Sequence, residues 1–142
     1  MEVKEESRER LEALQDLFRI LSELNKEVPV IVEGKNDVIA LRSLGLEGEI
    51  IQVHGGKNLY ELCEEIHERF EQVILLIDWD RRGETLMKTL GDYLSGLWES
   101  YRTFRETLRL LSRNEAFEIE EIPALMERLK RQWRGKSCET EV

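Results

Sequence analysis

"VILLIDWDRRGE", residues 73–84, runs five apolar residues straight into Asp78 and Asp80, then two arginines, a glycine and a glutamate. An unbroken apolar run of this length, rich in β-branched residues and bounded by charge, reads as a strand (Val73 to Ile77) buried on both faces. Such strands belong to parallel sheets. Two carboxylates where the strand ends admit two roles: they cap the next helix or they hold a metal ion.

Working outward, the pattern repeats. Val28, Val30, Ile31 and Val32 form a first β-branched run, and Glu49 to Val53 form a second, closed by Gly55 and Gly56. Between the strands lie Asp37 to Gly45, with Ile39, Leu41 and Leu44 apolar, and Asn58 to Phe70, with an apolar stripe through Leu59, Leu62, Cys63 and Ile66. Alternating strands and helices with short connections predict an α/β fold, a parallel sheet covered by helices. Before it, Leu11, Leu14, Leu17, Phe18, Leu21 and Leu24 recur at helical spacing over residues 7–26.

From Glu84 onward the chain reads as helical. Leu86, Leu90, Leu94, Leu97, Tyr101, Phe104, Leu108 and Leu111 keep heptad-like spacing, which packs on the sheet or on a second copy of the chain, the first being commoner. Gly91, Gly96 and a Thr103–Glu106 capping pattern predict two helices broken near residues 98–102. "FEIEEI", residues 117–122, is a short edge strand or a loop, and Pro123 opens a last helix to about Trp133. The expected organisation is an N-terminal helix packed on the domain (1–27), an α/β core (28–98), a helical C-terminal extension (99–134) and a disordered tail (135–142). No fourth hydrophobic strand is visible, which leaves the far edge of the sheet open to question.

The 142 residues suffice for one domain with a real core. A net charge of −9 argues against a broadly basic nucleic-acid-coating surface, though a local basic groove is compatible with it. Two distant cysteines, Cys63 and Cys138, offer no CxxC zinc spacing. The charged N-terminus and the lack of a membrane-length apolar run point to a soluble, cytoplasmic protein without a membrane partner.

Ligands of open parallel sheets bind beyond the carboxyl ends of the strands, where strand order reverses. With strands ordered 2-1-3, Glu33 at the end of the first and Asp78 and Asp80 at the end of the third fall on neighbouring strands ~4.8 Å apart. Three hard oxygen donors and no softer ones suit Mg²⁺ or Mn²⁺. "VEGKND" and "LLIDWDRRGE", each at the end of its own strand, resemble the two signature motifs of the Toprim domain. That domain is shared by type IA and type II topoisomerases, bacterial-type primases, OLD-family nucleases and the ribonuclease that matures bacterial 5S ribosomal RNA. The resemblance covers about residues 28–98 and is closest to small stand-alone Toprim proteins.

The resemblance implies a Rossmann-like Toprim sheet, Glu33 as general acid or base and metal contact, and Asp78 and Asp80 as Mg²⁺ ligands. It implies metal-dependent action on nucleic-acid phosphodiester bonds, with RNA processing favoured over DNA nicking. The alternative is a non-catalytic module that binds nucleic acid or nucleotide, or serves as a partner subunit or homodimer. Lys35 contacts phosphate or balances the acidic cluster. Arg81 and Arg82 pair with phosphate, as guanidinium geometry allows, or simply begin a solvated helix. Lys57, in "VHGGKN", is within reach of a phosphate role, but P-loop spacing is missing and a strand-ending turn is the simpler reading. His54 is a turn histidine, and His67 lies on the surface. Trp79 should point away from its flanking carboxylates if the chain stays extended.

Overall fold

In a computed structural model of the chain, the backbone is described for residues 2–141 and the side chains for residues 3–134. The tail expected at 135–142 lies outside the latter. The elements are α1 (Glu2–Asn25), β1 (Val30–Val32), α2 (Lys35–Ser43), β2 (Ile50–Gln52), α3 (Leu59–Arg69) and β3 (Ile74–Leu75). They continue with α4 (Arg81–Tyr93), α5 (Arg102–Ser112) and α6 (Ile122–Glu141), with single 3-10 turns at Glu99–Tyr101 and Ile119–Glu121.

The three strands are parallel in the order β2-β1-β3. Their formal lengths understate the pairing. Val53 and His54 N–H donate to the Val32 and Glu33 carbonyls at 2.9 and 3.0 Å, and Leu76 N–H donates to Ile31 at 2.9 Å. β1 is thus held on both sides up to the residue where Glu33 begins the loop.

Side-chain alternation sorts the apolar strand residues into two cores. Val30, Val32, Ile74 and Leu76 pack with α1, α2, α5 and α6, through Leu14, Leu41, Leu108 and Leu125 among others. Ile31, Val73, Leu75 and Ile77 face α3 and α4, through Cys63, Ile66 and Leu90. Both faces of β1 and β3 are buried, as their β-branched runs require. Each fully buried aliphatic side chain contributes roughly 1.5–3 kcal/mol. Asn25 ends α1 and ties it to the entry points of β1 and β2. Its Nδ2 donates to the Val28 and Glu49 carbonyls, and its Oδ1 accepts from Gly48 N–H.

The long stripe from Leu86 to Leu111 does not stay on one face. Leu90 and Leu94 fill the α3/α4 core, whereas Leu108 lies in the core on the opposite side. The chain crosses over between Leu94 and Arg102, where α4 ends and the 3-10 turn leads into α5. Trp98 secures the crossing by donating its indole N–H to the Gly91 carbonyl at 2.9 Å.

Two local readings are corrected. Thr103 does not open a capping box: α5 begins at Arg102 with Tyr101 at the cap position and no side-chain cap bond. The 3-10 turn runs straight into the helix, so Thr103 already lies inside it. "FEIEEI" forms neither a plain loop nor a paired strand. Glu118 is extended, then Ile119–Glu121 form a 3-10 turn. Trp79 N–H donates to the Phe117 carbonyl at 2.9 Å.

That contact belongs to a larger arrangement that replaces the missing fourth strand. Along the outer side of β3, Val73 N–H finds the Leu97 carbonyl at 2.9 Å. The Ile77 and Asp78 carbonyls accept from Arg105 Nε and Nη2 at 2.6 and 2.7 Å. Buried backbone polar groups must be paired, and here a side chain and two stretches of coil pair them.

Candidate functional site

β1 and β3 end side by side, so Glu33 and Asp78 meet. Asp78 N–H donates to Glu33 Oε2 at 3.3 Å, and both side chains are only 4% exposed. Asp78 Oδ1 accepts from Ile119 N–H at 2.8 Å. Asp37, in the first turn of α2, accepts from Gly34 N–H through Oδ2 at 3.1 Å and is likewise buried. Three carboxyl groups therefore share a poorly solvated space. Asp78 responds most strongly: burial, with Asp37 and Glu33 nearby, pushes its carboxyl up to about 8 against the bond from Ile119. Asp37 is raised as well, chiefly by burial.

A cavity of about 350 Å³ opens over this group. Glu33, Asp37 and Asp78 line its floor, Glu118 and Glu120 approach from the segment before α6, and Lys35 and Arg82 stand on the rim. Glu33 Oε1 is buried and has no hydrogen-bond partner. Its nearest basic nitrogens are His54 Nε2 at 3.8 Å and Arg82 Nη2 at 3.9 Å, beyond hydrogen-bond reach.

Asp80 is placed differently. Its Oδ1 accepts from Gly83 N–H at 2.7 Å, so it caps α4. For this residue the capping role raised by the sequence is realised. Asp78, two residues earlier, does not cap α4. Among the described residues, no three His, Cys, Asp or Glu side chains stand together as a ready-made metal cage. The donor chemistry nonetheless suits a hard divalent cation. Glu33 and Asp78 offer only oxygen, one of those oxygens is orphaned, and a cation would offset the burial and the neighbouring carboxylates that raise Asp78.

Gly83 sets how closely α4 approaches. A Cβ there would lie 2.1 Å from the Asp78 carbonyl oxygen, a backbone atom that cannot rotate aside. Gly83→Ala is expected to cost about 1–3 kcal/mol by forcing the start of α4 off the strand end. Thermal melts check this, and an unchanged Tm would mean that the helix start slides freely.

The other basic candidates separate. Lys35 and Arg82 line the acidic cavity. Arg81 lies in an adjoining cleft. Lys57 is ion-paired with Glu65 beside a different, smaller cavity on the β2 side. Trp79 turns from the carboxylates into the α1-side core, donating its indole N–H to the Ala116 carbonyl at 2.9 Å. Strict alternation would have sent it to the Ile77 face, so the strand's period ends at Ile77. His67 is exposed and lies 2.8 Å from the Tyr93 carbonyl. Asp37, His54, Glu118, Glu120 and Arg105 join or buttress the site without having been assigned to it from sequence. Asp37 falls within the first motif, "VEGKND", while the acidic stretch Glu118–Glu121 carries no sign that it returns to the strand ends.

Two parallel strands that deliver a glutamate and a DxD to one rim define a class, and the chain belongs to the Toprim domain family, whose pattern matches residues 28–108. Its relatives narrow this further. It is 34% identical over 125 residues to a UPF0292 protein of Methanosarcina barkeri, 87% of each chain. To a UPF0292 protein of Pyrococcus furiosus it is 36% identical over 108 residues, 75% of this chain and 81% of that one. A solved structure described as a putative protein from Aquifex aeolicus is similar with a TM-score of 0.61 at 28% identity, covering 76% of this chain and 96% of that one. At family level this carries a metal-dependent, nucleic-acid-related role. No helix among the described residues is long and apolar enough to cross a membrane.

Proposed function

We propose that the protein hydrolyses phosphodiester bonds in a nucleic acid with Mg²⁺ or Mn²⁺, structured RNA being favoured over DNA. The observation that carries this reading is the buried, unpartnered Glu33 Oε1 beside Asp78 at the carboxyl ends of adjacent strands. Glu33, Asp78 and Asp80 would hold the cation, Asp80 through the oxygen not committed to Gly83. When bound, the cation neutralises phosphate charge and polarises the phosphoryl group.

The chain's own residues do the rest. Glu33 moves a proton, either from the attacking water or to the departing sugar oxygen. Arg82, its side chain 79% exposed and only loosely placed near Glu33, is free to swing onto a phosphate oxygen. Ile119 N–H holds Asp78 in a single orientation. Phosphate enters this strongly acidic cavity only when its charge is offset, so substrate binding is expected to depend on the divalent ion.

The second reading is a module that binds nucleic acid or nucleotide without cleaving it, alone or as a partner subunit or homodimer. The use of Asp80 as a helix cap favours it. Labelled RNA and DNA hairpins incubated with the full chain in Mg²⁺ decide between the two. Cleavage is expected, falling to background in Glu33→Gln. Cleavage that persists in Glu33→Gln points to a contaminant, and no cleavage by wild type leaves the binding module.

A further inference from the structure

Next to the acidic cavity, and sharing Glu33, His54 and Arg82 with it, lies a second cleft of about 560 Å³. Its remaining wall is α4, through Arg81, Thr85, Leu86 and Thr89. The Thr85 and Thr89 hydroxyls are directed to the Arg81 and Thr85 carbonyls of their own helix at 3.3 and 3.4 Å. Both threonines are then left to present methyl surface beside the half-buried Leu86. The cleft is polar and cationic at the Glu33 end and aliphatic along α4. Among the described residues Arg81 makes no ion pair, and Arg82 and His54 lie beyond hydrogen-bond reach of Glu33.

We infer that this cleft seats one nucleoside monophosphate unit, with the phosphate between Arg82, His54 and the carboxylates, and the base on the Thr85–Leu86–Thr89 face of α4. Three observations converge on that occupant. Glu33, whose Oε1 is buried and unpartnered, lines both cavities, so a divalent ion held there would draw the ligand's phosphate to that end. The basic groups cluster at that same end, which complements an anion. The volume falls in the range of small-molecule sites and is open enough for one nucleotide but not for a stacked pair of strands. No aromatic ring and no buried hydrogen-bond donor line the base end, so the cleft should accept any base. This inference rests on the proposed function and deepens it: the unit acted on is a single-stranded or terminal nucleotide laid along α4.

Calorimetric titration of the full chain in MgCl₂ tests it, using adenosine 5′-monophosphate, adenosine, inorganic phosphate and a 5′-phosphorylated single-stranded hexanucleotide. The monophosphate is expected to bind about tenfold or more tighter than phosphate or adenosine alone. Thr85→Trp, at an exposed position on α4, should fill the base end, removing that advantage while phosphate binding stays as in wild type. Thr89→Trp provides a second filling variant, and thermal melts confirm that each is folded. Tighter binding of the hexanucleotide than of the monophosphate assigns the cleft to a strand terminus, and the reverse assigns it to a free nucleotide.

Equal affinity for monophosphate and phosphate, or a Trp variant that weakens both alike or neither, overturns the cleft. The hairpin assay fails or succeeds independently. Cleavage with no monophosphate preference removes the cleft alone, and a preference without cleavage removes the hydrolase alone.

Discussion

Arg105→Ala is expected to lower the stability of the protein by about 3–5 kcal/mol, the effect of stripping two buried carbonyls of their donor and leaving a cavity. Arg105 is 8% exposed, and its guanidinium donates to the Ile77 carbonyl at 2.6 Å and the Asp78 carbonyl at 2.7 Å. Each abandoned carbonyl costs on the order of 1–3 kcal/mol. The ion pair with Glu84 adds little, because that carboxylate is 54% exposed. Lysine keeps the charge but lacks the planar fork that spans two acceptors, so Arg105→Lys should recover less than half of the loss. Urea melts read the change as a lower midpoint at unchanged slope. Melting of Arg105→Ala with wild type would show that the coil alone closes the strand end.

Asp78→Asn is expected to make the metal-free protein more stable at pH 8, by on the order of 2–4 kcal/mol, and to change it little at pH 4. The carboxyl stands at about 8 in the folded chain against 3.8 ordinarily, burial being the main cause. Between those values the folded state keeps a proton that the unfolded chain has released. Stability therefore falls as pH rises through this window, and the loss is complete above the folded value. Asparagine stays neutral and retains an oxygen for Ile119 N–H. Solvent entering from the cavity side keeps the gain below the full shift. A divalent ion should relieve the same penalty in wild type, so added Mg²⁺ should raise its Tm more at pH 8 than at pH 5 and leave Asp78→Asn unmoved. Parallel pH profiles for wild type and Asp78→Asn would remove the burial argument.

The parts of this protein written in local patterns were legible. β1 and β3 announce themselves because a strand buried on both faces needs apolar residues at successive positions, and Val30–Val32 and Val73–Ile77 supply them. Glu33 and Asp78 follow, since any residue at those strand ends reaches the same rim. The rest depends on contacts far apart in sequence. Arg105 reads as one more charge on an amphipathic helix, and only the fold reveals that it meets carbonyls 27 and 28 residues away. Glu118 and Glu120 reach the site because Ile119 is anchored to Asp78, 41 residues earlier. Asp80 went to the helix rather than to the cluster because Gly83 N–H lies within its reach, a choice that spacing alone leaves open. His54 was read as a turn residue, which it is, but its turn sits against Glu33.

The closing of β3 by a side chain and by coil also bears on how this chain meets its own copies. A strand with free carbonyls and amides is a template on which another polypeptide can add. Here that template is used up on one flank, by Arg105 and by residues 97 and 117. Among the described residues β2 pairs only with β1, so any continuous intermolecular sheet must be built outward from β2. That strand is formally three residues long, and its pairing with β1 runs on through Val53 and His54. The β3 flank is therefore self-terminating, and any assembly of copies through the sheet would use the β2 edge.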